Sequence, residues 1–224
     1  MSNKFIEHIV LKYLVVPKAP VVDQEKIHIA CIGDSITFGA GVNGVKEKTW
    51  EYKLNQMLGE GYQVLNYGIS ARTLQDEADY PYTAEKFYKK SHDVLADIYI
   101  IMLGTNDAKT YNWDKDRYTK ELNTFVRSYI ELPNKPKVIL MTPPKCYVAP
   151  EIGKVNFDID ADVVDGQIHD IVQATANELS LDVIDLNEFT ACHEEWFCDG
   201  VHPNEAGNAA IAEFIRKNLK IELV

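Results

Sequence analysis

The amino-acid sequence predicts an α/β fold built on a five-stranded parallel sheet. Two observations carry that expectation. Between Lys26 and Val224, short runs rich in β-branched residues alternate with longer segments of helical period, the order that βαβ units produce. The 224 residues, 46% hydrophobic and 25% charged, match an ordinary globular chain with one core, so a single domain decorated at its N-terminus is expected.

Taken in order, Ile6, Ile9, Val10, Tyr13 and Leu14 fit a helical stripe that Pro17 and Pro20 would end. Residues 1–25 are therefore read as an appendage to a domain over residues 26–224. The apolar stretch Ile9 to Val16 contains Lys12, follows Glu7 and His8, and lacks a small-residue cleavage site, so no signal peptide is expected. Strands are expected at Ile27 to Ile32, Tyr62 to Tyr67, Asp97 to Leu103, Lys137 to Met141 and Leu181 to Leu186. Trp50, Leu54, Met57 and Leu58 mark a helix after the first strand. Between the third and fourth, Leu122, Phe125, Val126, Tyr129 and Ile130 recur at i, i+3, i+4, i+7 and i+8, which makes one helix face apolar. Ile168, Ile171, Val172 and Leu179 mark a helix before the fifth strand, and Ile211, Phe214, Ile215 and Leu219 mark the last one, after Pro203 and Asn204. Thr142 to Asp162, with three prolines and Gly153, is a long connection of the kind that often serves as a lid or binding loop.

Composition narrows the partners. With 34 Asp+Glu against 23 Lys+Arg the formal charge is -11, so a phosphate backbone or an acidic membrane surface would be repelled, and neither nucleic acid nor membrane is an expected partner. No stretch approaches the ~20 apolar residues that cross a bilayer. Cys31, Cys146, Cys192 and Cys198 form no CxxC pair and no spaced Cys/His set. That pattern suits reduced thiols, and a cytoplasmic location is expected.

In an open parallel sheet, right-handed crossovers bring the carboxyl ends of the strands to one edge, where ligands bind. Four segments meet that edge: Gly33 to Thr37 after the first strand, Asn66 to Gly68 at the end of the second, Gly104 to Asp107 after the third, and Asp199 to Pro203 after the fifth. Each suits a step of acyl transfer. A serine hydroxyl needs a neutral imidazole to take its proton during attack, which pairs Ser35 with His202. Asp199, three residues upstream, can fix the imidazole tautomer and stabilise the imidazolium. The oxyanion needs donors, and the N–H groups of Ser35 and Gly68 with the Asn106 amide are the candidates. Singly, each block also reads as a turn, a helix cap or a surface ion pair. Their joint occurrence at strand ends outweighs those readings.

The blocks GDSIT from Gly33, NYGIS around Gly68, GTND from Gly104 and DGVHP from Asp199 resemble those of the SGNH hydrolases, also called GDSL-type esterases and lipases. Ile36 stands where the family's name has leucine, an apolar exchange outside the catalytic roles. The resemblance runs from about Lys26 to the C-terminus. It implies a three-layer α/β/α, flavodoxin-like SGNH hydrolase fold. It also implies Ser35 as nucleophile and oxyanion donor, Gly68 and Asn106 as further oxyanion donors, His202 as base and Asp199 as its partner.

Two other readings compete with this one. Gly39, Gly41 and Gly44 form a GxGxxG, but they trail the first strand and no acid ends the second, so a dinucleotide site is not expected. They are read as a flexible loop near the nucleophile. A binding module that kept the fold and lost catalysis is disfavoured because Ser35, Asn106, Asp199 and His202 are all present. His8, His28, His92, His169 and His193 show no ligand spacing, so neither metal nor cofactor is expected. The resemblance implies a small-molecule ester as partner: an acetyl group, often on carbohydrate, or alternatively a lysophospholipid or acyl thioester. Tyr111, Trp113, Tyr147 and Trp196 flank the blocks or lie in the long loop; they could stack on a sugar ring or simply pack the loops.

Overall fold

The structure is a computed structural model and describes residues 17–43 and 45–221. The stripe from Ile6 to Leu14 and Gly44 lie outside the described residues. In chain order the main elements are β1 (Ile27–Gly33), α1 (Ser35–Phe38), α2 (Trp50–Leu58), β2 (Tyr62–Gly68), α3 (Lys86–Asp93) and β3 (Ile98–Met102). They continue with α4 (Lys115–Ile130), β4 (Lys137–Met141), α5 (His169–Leu179), β5 (Asp182–Ile184), α6 (Leu186–Phe189) and α7 (Glu205–Asn218).

The five strands are parallel in the order β2-β1-β3-β4-β5, as the alternating pattern predicts. Period two explains the layers. Ile29 and Cys31 of β1 join Trp50 and Leu54 of α2 and Ile211 and Ile215 of α7 in one buried cluster. Ala30 and Ile32 join Phe87 of α3, Leu122, Phe125 and Tyr129 of α4 and Val172 of α5 in the other. The aliphatic stripes read from sequence in α2, α4, α5 and α7 face these clusters, except that Met57 of α2 is exposed, and the fold is the three-layer α/β/α arrangement the motifs imply. Thr49, Asp114 and Asn204 cap α2, α4 and α7 with side-chain oxygens on free backbone N–H groups, which fixes where these helices begin.

The fifth strand, expected over Leu181 to Leu186, stops at Ile184 because Asp185 caps the helix α6 that Leu186 opens, and one helix, α3, has no counterpart in the expected pattern. Helix α3, KFYKKSHD, carries no aliphatic stripe; Phe87 and Ser91 are its buried residues, and Tyr88 and His92 pack on Phe125 and Tyr129 of α4. Its apolar face is aromatic and tertiary, which a search for aliphatic period overlooks. The Thr142–Asp162 connection is held down by a 3-10 turn at Asn156–Asp158 and by an antiparallel bridge between Ile159 and Lys109. A π-helical turn, Val163–Ile168, leads from it into α5.

Because the strand order reverses across β1, the C-terminal end of β1 sits between those of β2 and β3 at the switch point. Gly33 is in register with Gly68 on one side and Met102 on the other. Segments separated by more than thirty residues thus meet there.

Candidate active site

The chain turns sharply after β1. The Asp34 carboxylate accepts the N–H of Ile36 at 2.9 Å and caps α1, so Ser35 becomes the first helical residue. Its own N–H, one of the orphan donors of a helix start, has no partner among the described residues. The loop before α7 supplies the second part. Asp199 Oδ1 accepts the N–H of Val201 at 3.0 Å and of His202 at 2.8 Å, which curls the loop and leaves Oδ2 facing the imidazole. Asp199 Oδ2 lies 2.7 Å from His202 Nδ1, and His202 Nε2 lies 2.8 Å from Ser35 Oγ. Burial alone would raise the Asp199 carboxyl, but the His202 ring and the two backbone N–H groups outweigh it and hold it below its ordinary value.

Two further contacts place this loop. Asn208 of α7 accepts the N–H of Trp50 at 2.9 Å and donates to the Pro203 carbonyl at 2.8 Å, joining α2 and α7 to the His202 segment. Gly41 packs so closely that a Cβ there would meet the Pro203 oxygen at 2.2 Å. The glycine-rich turn expected to be loose is instead pressed against the backbone that carries His202.

The structure brings Ser35, Asn106, Asp199 and His202 together but does not bring Gly68 to the cavity. The Gly68 N–H donates to Asn66 Oδ1 at 2.8 Å, and a Cβ at this position would strike the Phe38 nitrogen at 2.3 Å. Glycine is required there so that β2 can close on α1, and its amide is already spent. Ser70 and Ala71 are the residues of this segment that border the cavity, and Ala71, in the left-handed region at φ 68°, has an N–H with no partner among the described residues. Arg72, fully buried and paired with Glu85, donates to the Ser70 carbonyl at 2.8 Å and braces this turn. Sequence reasoning passed over Ala71 because a non-glycine residue in this conformation leaves no compositional sign.

Asn106 reaches in from beyond β3. Its Nδ2 donates to the Arg72 carbonyl at 3.1 Å and lies 3.5 Å from Asp34 Oδ2. The next residue, Asp107, is buried and accepts the N–H of Leu74 at 2.9 Å and of Gln75 at 2.8 Å, so the GTND block also anchors the Ala71 turn. Burial, offset in part by these hydrogen bonds, pushes both Asp107 and Asp34 up to about 6. In the unfolded chain an aspartate ionises near ~3.9. The stability these two carboxyls contribute is therefore complete below that value and is lost as the pH rises through about 6. Melting temperatures of wild type and Asp107→Asn from pH 4 to 7 test this: the variant should show a shallower decline, and an equally steep one would mean that Asp107 ionises as it does in water.

Ser35, Ala71, Asn106 and His202 border a cavity of about 450 Å³, together with Asp79, Lys109, Tyr111 and Phe157. The Phe157 ring stands edge-on to the His202 ring, with centroids 5.2 Å apart. Of the four aromatic residues singled out in the sequence, three pack the loops. Trp113 donates to Gln167 and leans on Tyr118, Tyr147 bonds the Thr190 carbonyl and rests on Phe197, and Trp196 stacks on His193. Tyr111 alone faces the cavity. All four cysteines are free thiols.

Among the described residues no helix is long and apolar enough to cross a membrane. Comparison with known proteins gives a consistent picture. Residues 31–210 match the family model described as GDSL-like Lipase/Acylhydrolase family. The chain is 30% identical over 220 residues to an acetylxylan esterase from Xylanibacter ruminicola, covering 90% of this chain and 45% of that protein. It thus spans less than half the length of this curated relative. Among solved structures, a carbohydrate acetylesterase from Sinorhizobium meliloti superposes with a TM-score of 0.69 at 23% identity, covering 87% of this chain and 98% of that one. The native aryl esterase of M. smegmatis gives 0.67 at 24% identity, over 85% and 99% of the two chains. At such identities the likeness is one of fold.

Proposed function

The chain belongs to the GDSL-like lipase/acylhydrolase family, and from that membership we propose that it is a carboxylic ester hydrolase that removes small acyl groups, acetyl above all, through an acyl-enzyme on Ser35. The observation that carries this reading is the unbroken hydrogen-bonded line from Ser35 Oγ through His202 to Asp199, at 2.8 and 2.7 Å, opening on a cavity.

In the first step Ser35 Oγ attacks the ester carbonyl carbon while its proton passes to His202 Nε2. Asp199, held ionised, keeps the other ring proton on Nδ1 and stabilises the imidazolium. The carbonyl oxygen becomes an oxyanion, for which the free N–H groups of Ser35 and Ala71 are the donors at hand, with a third from the Asn106 amide, which gives one N–H to the Arg72 carbonyl and would turn the other from its long 3.5 Å contact with Asp34. The bond to the leaving oxygen then breaks as His202 returns the proton to it, and the alcohol departs. Water repeats the sequence: it gives a proton to His202, its oxygen adds to the acyl carbon, and Ser35 is released with the acid.

Acetyl esters of carbohydrate are the proposed substrates. An acetylxylan esterase relative and a carbohydrate acetylesterase of similar fold support this, as does a cavity of about 450 Å³ bordered by ionised and hydroxyl groups as well as by aromatic faces. Initial rates on nitrophenyl esters from acetyl to octanoyl should give the highest kcat/KM for acetyl. An optimum at octanoyl would replace this reading with a lipase or thioesterase. Removing one oxyanion donor costs roughly 3 kcal/mol, so Asn106→Ala should lower kcat about a hundredfold. An unchanged kcat would take Asn106 out of that role.

A further inference from the structure

Among the described residues, only two aromatic side chains are strongly exposed, Tyr111 at 64% and Phe157 at 52%, and both border the same cavity. Water-exposed aromatic faces are costly to keep, and two of them at one cavity mouth mark a surface waiting for an apolar ligand face. Their spacing is built in. Lys109 and Ile159 form an antiparallel bridge and the Thr110 N–H donates to the Asp158 carbonyl at 3.3 Å, so that Tyr111 falls opposite Phe157 in this register. Phe157 and Asp158 both adopt left-handed backbone, at φ 63° and 58°, a strained pair that turns this segment at the cavity rim.

The polar groups beside this platform carry no net charge. Lys109, almost buried, lies 3.1 Å from Asp79, which also accepts from Asn112 at 2.8 Å. Asp158 is paired with Lys154 at 2.7 Å. Each carboxylate at the rim thus has its lysine. A charged ligand would gain little from such a wall, whereas a ring with one apolar face and hydroxyls around its edge would find both of the surfaces it needs.

We propose that Tyr111 and Phe157 form the leaving-group platform of this cavity, which takes the pyranose ring of an uncharged O-acetylated sugar and sets its hydroxyls against the Asp79–Lys109 pair. The platform rests on the reading of the cavity as an esterase site. It assigns specificity to two residues outside all four motif blocks, one of them in the long connection after β4.

The test compares wild type, Tyr111→Ala and Phe157→Leu on two esters, a monoacetylated methyl glucopyranoside and ethyl acetate. The quantity read is the ratio of the two kcat/KM values. Each variant should lower that ratio tenfold or more, with the loss on the sugar ester carried by KM. A ratio within twofold of wild type in both variants overturns the platform, because a merely structural role would depress both esters together. Binding of unacetylated methyl glucopyranoside, followed by NMR titration, separates this from the activity. If wild type cleaves neither ester yet binds the glycoside, and the variants bind it at least fivefold more weakly, the platform stands and the esterase reading falls. If wild type binds no glycoside, the platform falls whatever the ester rates.

Discussion

Ser35→Ala is expected to lower kcat on acetyl esters by on the order of 10⁵-fold or more, with no measurable change in melting temperature. The size follows from the role. A nucleophile and its base act as one unit, and deleting either removes the covalent route entirely, leaving only what oriented donors lend to attack by water. The fold should not notice. The Ser35 hydroxyl is hydrogen-bonded only to His202 Nε2 among the described residues, and the backbone that starts α1 is capped by Asp34, not by Ser35. Nitrophenyl acetate hydrolysis and a thermal melt measured on the same preparation decide the matter. More than about 1% residual activity would place the nucleophile elsewhere, since no loss so small fits removal of a covalent route.

Asp199→Asn should lower kcat about 10⁴-fold, although it alters neither the nucleophile nor the base itself. The geometry explains why. Asp199 Oδ1 accepts two backbone N–H groups while Oδ2 faces His202 Nδ1. An asparagine that keeps its oxygen on the backbone donors must turn its NH2 toward Nδ1, which can then only accept. The ring proton moves to Nε2, the nitrogen that has to receive the Ser35 proton, and the base is lost. If the amide flips instead, its NH2 meets two N–H donors and the loop carrying His202 loses its curl. A kcat within tenfold of wild type would show that Asp199 serves only to shape the loop.

The two variants also separate chemistry from architecture. Asp107 and Asn66 lie within the motif blocks but hold segments rather than substrate: Asp107 pins the Leu74 and Gln75 amides, and Asn66 ties the Gly68 amide and the Thr37 carbonyl together at 2.8 and 2.7 Å. Their loss should appear first in stability and only then in rate. Motif membership alone does not distinguish the two kinds of residue.

Much of the molecule was legible in the sequence. The five strands and the four aliphatic-striped helices follow from burial periodicity, a local property that each segment carries in its own residues. The meeting of Ser35 with Asn106 was legible because each follows a strand and a parallel sheet delivers such positions to one edge, whereas Asp199 and His202, which lie beyond α6 on the loop before α7, were legible only from their spacing of three residues. What the tertiary structure alone decided lies one step further out. It moved the free amide from Gly68 to Ala71, turned a supposedly flexible glycine loop into a tight contact with Pro203, packed Trp113, Tyr147 and Trp196 half-buried against their loop neighbours, and brought Phe157 to the cavity beside Tyr111. Each of these depends on how closely segments remote in sequence approach and on which of their backbone donors remain unpaired after they have done so. Periodicity records whether a residue is buried; only the packed chain settles what it is buried against.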